Sequence, residues 1–193
     1  MKRKYIQIPF GKKENHLVVV LCRKPMQRGL IGMVRGKVVG ADIPIVMDAT
    51  PPDLMEYEHA ALFGLGNGMG VIQMTPGVVA GFRCGDPFAR TCLFHELGHY
   101  LKHHLDNPGF QNGEYDNERY RIASEGGILR QEVEADAVAV EYLGADTAIA
   151  GLKMIRDLNA RKLGDLSYDQ DSARVSVLEL DNRIRTLEVK RNG

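Results

Sequence analysis

His95-Glu96-Leu97-Gly98-His99 limits the folds open to this chain more than any other segment. Two histidines four residues apart act together on a helix, where they project from one face, one turn apart. From there both imidazoles can reach a single metal ion, with Zn–N distances of about 2.0–2.1 Å. Glu96 can lean over the open position of that ion and take a proton from a bound water. A catalytic zinc needs three protein ligands and an open fourth position. The fold therefore has to bring a third ligand to this helix from elsewhere.

A histidine ten residues after His95, as in metzincins, does not supply it. That position is Leu105, and the glycine of that pattern is replaced by Lys102. His103 and His104 follow closely, but three ligands along one straight helix converge poorly on a tetrahedral ion. Both are read as residues of a solvated face. The better candidate lies in Glu132-Val133-Glu134-Ala135-Asp136. Glu132 on a second helix can approach the ion from across a cleft. Asp136, one turn further on the same face, can accept a hydrogen bond from the non-ligating nitrogen of a zinc histidine. Glu134 points about 200° away from Glu132 and is the weaker choice of ligand. Ala135 and Ala139 are small enough to let the two helices approach closely.

Hydrophobic periodicity divides the chain in two. Residues 1–86 read as strands with one helix, and residues 87–193 as a helical part carrying the motifs, together one compact domain. Strands are expected at 17–21, 30–34, 37–39 and 43–47, with a plausible hairpin at Gly36. Thr50 and the prolines Pro51 and Pro52 open a helix that stops near Gly64. Residues 71–74 and 78–82, around Thr75-Pro76-Gly77, read as a hairpin leading into the motif helix. That helix runs from Pro87 to about His104. The polar stretch 105–127 reads as a long loop, partly disordered. Helices follow at 128–143, 145–163 and 168–189, with Gly144 and Gly164 as stops. The fold class implied is α+β and zincin-like: a mostly antiparallel N-terminal sheet with one helix, then the active-site helix and a C-terminal helical half.

Composition narrows the function classes. The 25 Lys+Arg balance the 25 Asp+Glu, which gives no reason to expect nucleic acid or an anionic membrane as partner. No apolar run approaches the roughly 18 residues of a membrane helix, and the N-terminus has no apolar signal core. Cys22, Cys84 and Cys92 are odd in number and form no C-x-x-C, so they read as small buried apolar residues of a reduced, cytoplasmic protein. His16 and His59 stand alone and are read as structural or exposed. Gly64-Leu65-Gly66-Asn67-Gly68-Met69-Gly70 fits neither a dinucleotide fingerprint nor a P-loop and reads as a flexible turn.

H-E-L-G-H followed by E-V-E-A-D-A-V-A-V-E-Y-L-G resembles the gluzincin metallopeptidases of the HtpX and CAAX prenyl-endopeptidase type. The likeness continues through Ala148-Ile149-Ala150-Gly151-Leu152-Lys153-Met154-Ile155 and Asp181-Asn182-Arg183-Ile184-Arg185-Thr186-Leu187, spanning about residues 87–188. A second resemblance is to ImmA/IrrE-type peptidases, which usually carry Asn where this chain has Asp136. HtpX is itself a membrane protein, whereas this chain has 32 mostly polar residues between His99 and Glu132 and no span. The resemblance implies Zn2+ on His95, His99 and Glu132, Glu96 as general base, and Asp136 behind the ligands. It implies an endopeptidase acting on protein or peptide substrates. The alternatives are a non-catalytic zinc-binding or regulatory module on the same scaffold, and a zinc hydrolase of a non-peptide bond. Candidate oxyanion or substrate contacts are Tyr115, Arg119, Tyr120 and Arg183. Val78, Val79, Ala80, Gly81 and Phe82 are the candidate edge strand for an extended substrate.

Overall fold

The computed structural model describes residues 4–9, 16–21, 29–35, 43–47, 60–66, 69–74, 76–107 and 114–192. The expected α+β fold, a mostly antiparallel N-terminal sheet with one helix ahead of a helical half, is corrected: the part of the chain that carries the core and the candidate site is helical. From Pro76 onward the described chain is 79% α-helical and contains no strand. This helical body holds almost the whole described core and every residue of the candidate site.

Among the described residues six helices build it: α1 (Pro76–Cys84), α2 (Pro87–Leu101), α3 (Glu114–Ser124), α4 (Arg130–Leu143), α5 (Ala145–Ala160) and α6 (Gln170–Asn192), with a 3-10 turn at His104–Asp106. Helix α2 starts where the sequence demands it. Asp86 accepts a hydrogen bond from Phe88 N at 3.1 Å, and Pro87 occupies the first turn, where its missing N–H costs nothing. The helix is buried along much of its length, through Ala89, Thr91, Cys92, Leu93, Phe94, Leu97, Gly98 and His99. Leu93, Phe94 and Leu97 are almost fully buried, each contributing about 1.5–3 kcal/mol from burial alone. They pack with Phe82, Val138, Ala139 and Tyr142. A second apolar cluster, Ala148, Ile149, Leu152, Leu180, Ile184 and Leu187, joins α5 to α6. Gly144, at φ +81°, makes the sharp junction between α4 and α5.

Ahead of the helices, the backbone forms strands β1 (Lys4–Pro9), β2 (His16–Leu21), β3 (Gly29–Arg35), β4 (Ile43–Met47), β5 (Ala60–Gly66) and β6 (Met69–Met74). They are ordered β1-β2-β3-β4-β6-β5, and the β4–β6 pairing is parallel. The crossover leaves β5 at the edge, paired with β6 alone among the described strands. Leu62, Ile72 and Met74 carry the sheet's contribution to the main core.

Three local expectations are corrected. Residues 78–82 are not a strand but the middle of α1: Pro76 sits at its first position, and Val78 and Phe82, four apart, are both buried on one helical face. Tertiary packing of that face overrides the β preference of Val78 and Val79. The expected helix ending near Gly64 gives way to β5 over residues 60–66, while 51–59 lie outside the described residues, as does the expected strand 37–39. The expected loop 105–127 contains α3. This helix buries only Tyr115 and Ala123, so its apolar period is too weak to read. Its exposed face is laced by Arg121 with Glu118 and Glu125.

Helices α2 and α4 touch backbone to backbone. A Cβ placed on Gly98 would lie 2.7 Å from Cα and from O of Ala135. Gly98→Ala should therefore force the helices apart and cost about 1–3 kcal/mol. Gly77→Ala in α1, where an added Cβ meets nothing within 4 Å, should leave stability unchanged or raise it by up to about 1 kcal/mol. Urea denaturation of the two variants beside the wild type checks this.

Candidate metal centre

His95 and His99 lie one turn apart on α2, and Glu132 faces them from the first turn of α4. The close approach at Gly98 makes the meeting possible. His95 Nε2 and His99 Nε2 are 3.1 Å apart. Glu132 Oε2 is 3.2 Å from His95 Nε2, and its Oε1 is 3.5 Å from His99 Nε2. Donor atoms at tetrahedral angles, about 2.0–2.1 Å from a zinc ion, stand about 3.3 Å from one another. The three side chains therefore already hold the triangle that zinc requires. Among the described residues they are the one His/Cys/Asp/Glu group with this convergence.

The hydrogen bonds around the triangle aim its lone pairs inward. Asp136 Oδ1 lies 2.9 Å from His95 Nδ1. Arg183 Nη2 is 3.1 Å from the same nitrogen but makes its shorter contact, 2.6 Å, to Asp136 Oδ1. Asp136 thus accepts from both, and the Nδ1 hydrogen of His95 points at it, so Nε2 is the nitrogen turned toward His99 and Glu132. Arg183 Nη1 donates to Glu132 Oε2 at 2.8 Å and Nε to Asp136 Oδ2 at 2.8 Å. Tyr115 OH donates to Glu132 Oε1 at 2.5 Å. Arg119 donates through Nε to both oxygens of Glu179 at 2.9 Å, and lies 3.8 Å from Glu132. His99 Nδ1 is 2.8 Å from His104 Nδ1. Glu96 Oε2 accepts from Leu62 N at 2.9 Å, which ties it to the edge strand β5.

Charge supports a cation here. Glu96, Glu132, Asp136 and Glu179 face two guanidiniums, Arg119 and Arg183. With all four acids ionised and both histidines neutral, as metal binding requires, two negative charges would stay uncompensated, the charge of one divalent ion. The protonation equilibria register this excess. Burial and Arg183 push His95 down, yet Glu132 and Asp136 outweigh them and raise it to about 9. Burial opposes ionisation of Glu132, but Arg119, Arg183 and His95 hold it well below the usual carboxylate range. Asp136 is lowered too, against burial, chiefly by Arg183. Burial, with His95 next, takes His99 down to about 3, so its ring is neutral. Burial raises Glu96 to about 6.

Of the residues singled out in the sequence, His95, Glu96, His99, Glu132 and Asp136 come together. Tyr115, Arg119 and Arg183 join them, in a different role: Tyr115 and Arg183 are buried and spend their donors on Glu132 and Asp136, and Arg119 spends Nε on Glu179. Tyr120 is exposed and takes no part. The edge-strand role of Val78, Val79, Ala80, Gly81 and Phe82 fails because they are helical. His104 is buried, not part of a solvated face, whereas His103 is exposed. Glu179 was not singled out; it stands one helical turn before Arg183, and that i,i+4 spacing was its only signal. His59 lies outside the described residues.

No family model matches this chain, and no match was found among curated proteins or solved structures. No helix among the described residues is long and apolar enough to cross a membrane.

Arg183 compensates two buried carboxylates at once. Arg183→Met should cost about 3–5 kcal/mol in metal-free protein, since it leaves Glu132 and Asp136 without their main counter-charge. Arg156→Met, which breaks a half-exposed pair with Asp181, should cost far less, since exposed ion pairs contribute little. Denaturation in the presence of a chelator compares them.

Proposed function

We propose that this chain is a zinc-dependent endopeptidase of gluzincin type. The observation that carries the reading is the inward-facing triangle of His95 Nε2, His99 Nε2 and the Glu132 carboxylate, with sides of 3.1, 3.2 and 3.5 Å. The likeness of H-E-L-G-H and E-V-E-A-D to gluzincin motifs adds support. Zinc held there would lower the pKa of a water at its fourth position toward about 7 and polarise a neighbouring carbonyl. Glu96 takes the proton from the attacking water and delivers it to the leaving amine. Its retention favours catalysis over mere metal storage, because holding a metal does not require it. Asp136 keeps the ring of His95 oriented, and Arg183 keeps Asp136 and Glu132 in place.

A substrate strand would lie along β5, the sheet edge whose Leu62 N–H reaches Glu96. Pairing with an edge strand holds a peptide extended and presents one carbonyl at a time. The substrate class is therefore protein or peptide. The free thiols of Cys84 and Cys92 favour a reducing, cytoplasmic setting.

Metal analysis of purified protein should find about one zinc per chain. Against a proteome digest, Glu96→Gln should lose cleavage by at least about a hundredfold while keeping its zinc. Zinc retained with undiminished cleavage would remove Glu96 from the mechanism, and a protein that takes up no zinc would end the reading.

A further inference from the structure

We propose that Glu134 and His104 form a relay that sets the ring tautomer of His99 and so leaves its Nε2 bare for the metal. The inference rests on the zinc reading of this site but concerns residues outside the ligand set. The contacts form a line. Glu134 Oε2 is 3.0 Å from His104 Nε2, and His104 Nδ1 is 2.8 Å from His99 Nδ1. His104 and His99 are both buried.

The direction of this line follows from the group at its end. A carboxylate only accepts, so the hydrogen on His104 is at Nε2 and points to Glu134. A neutral ring that donates there has only a lone pair at Nδ1. The hydrogen between the two rings must then come from His99 Nδ1. The remaining nitrogen of His99, Nε2, carries a lone pair and faces His95 and Glu132. Reversed polarity would put a hydrogen on Nε2 and close the ligand position. His95 is set in the same sense by Asp136, so each metal-facing histidine has its own carboxylate, one direct and one through a second imidazole.

The backbone is shaped for this contact. His103 adopts φ +58°, a left-handed conformation that residues other than glycine rarely adopt. It turns the chain sharply after α2 and brings His104 back beneath His99. Glu134 stands two residues after Glu132 on α4, so it faces a different direction from the ligand. Its other oxygen accepts from Arg130 Nε at 2.7 Å on the exposed side, which fixes the carboxylate.

The test compares wild type with His104→Leu, His104→Asn and Glu134→Ala. Zinc affinity is read by competition with a chromophoric chelator, and folding by circular dichroism. Leucine fills the space but accepts no hydrogen bond, so His104→Leu should bind zinc about 10–100-fold more weakly. Asparagine keeps an acceptor at the δ position and should restore affinity to within about threefold of wild type. Glu134→Ala, altering a half-exposed side chain, should weaken zinc about tenfold. Nitrogen NMR of the imidazoles gives a reading independent of metal: His99 should be the Nδ1–H tautomer in wild type and a mixture in Glu134→Ala. A folded His104→Leu with wild-type affinity, or asparagine no better than leucine, would overturn the relay. If the leucine variant does not fold, unchanged affinity and tautomer in Glu134→Ala overturn it. Wild type that takes up no zinc defeats the peptidase reading instead, and the tautomer of His99 then decides the relay alone.

Discussion

The distance between α2 and α4 at Gly98 governs the rest of this molecule. A hydrogen in place of a methyl lets the backbone of α2 rest on that of α4 at Ala135. Only at that separation does Glu132, a side chain with three rotatable bonds, reach both imidazoles while Asp136 reaches the far nitrogen of His95. Small residues recur where α5 meets α2: a Cβ on Gly151 would lie 2.1 Å from Thr91 Oγ1. The motif helix is thus clasped on two sides by helices that approach it closely. That rigidity matters because ligand atoms misplaced by an ångström no longer define a metal site.

Close packing creates an electrostatic problem that α6 and α3 resolve. Glu132 and Asp136 project from α4 into a buried space, where unpaired carboxylates are expensive. Arg183 on α6 meets both with three donors, a use of the guanidinium fork that lysine could not reproduce. Glu179, one turn earlier on α6, binds Arg119 of α3 and draws that otherwise polar helix onto the body. Tyr115 on the same helix closes the remaining oxygen of Glu132. Helix α3 is held chiefly by these ionic and hydrogen-bonding anchors, since it buries little apolar surface. Its stability and the orientation of Glu132 are therefore one property.

This division explains what the sequence revealed. The spacing of His95, His99, Glu132 and Asp136 was legible because side chains that share one helix face recur at helical periods, and here they belong to few residue types. The helices α4, α5 and α6 were legible because each has an apolar stripe and because Gly144 and Gly164 separate them. Helix α3 was not, because Arg119 and Tyr115 hold it through partners distant in the chain. Residues 78–82 misled because valine pairs favour strands, while the i,i+4 burial of Val78 and Phe82 appears only with packing. The parallel β4–β6 pairing was hidden because a crossover has no local signature. Arg183 was noticed, but as a free donor: a sequence shows a guanidinium and not which carboxylates will claim it. His104 was dismissed on the premise of a straight helix, which the left-handed turn at His103 breaks.

The hydrogen bond from Leu62 N to Glu96 links the two parts of the chain at the candidate site. Glu96 is held by a backbone donor of β5, an element rooted in the sheet. The carboxylate therefore keeps its orientation only while β5 stays against α2. Burial, and after it Glu132, favours the protonated form of Glu96, whereas His95 and then the Leu62 N–H favour the ionised one, and the balance rests at about 6. A strand added to the free edge of β5 would stiffen the same backbone that holds this group. Binding of an extended chain at the sheet edge and readiness of Glu96 to accept a proton would then be coupled through a single amide, with no movement of α2 required.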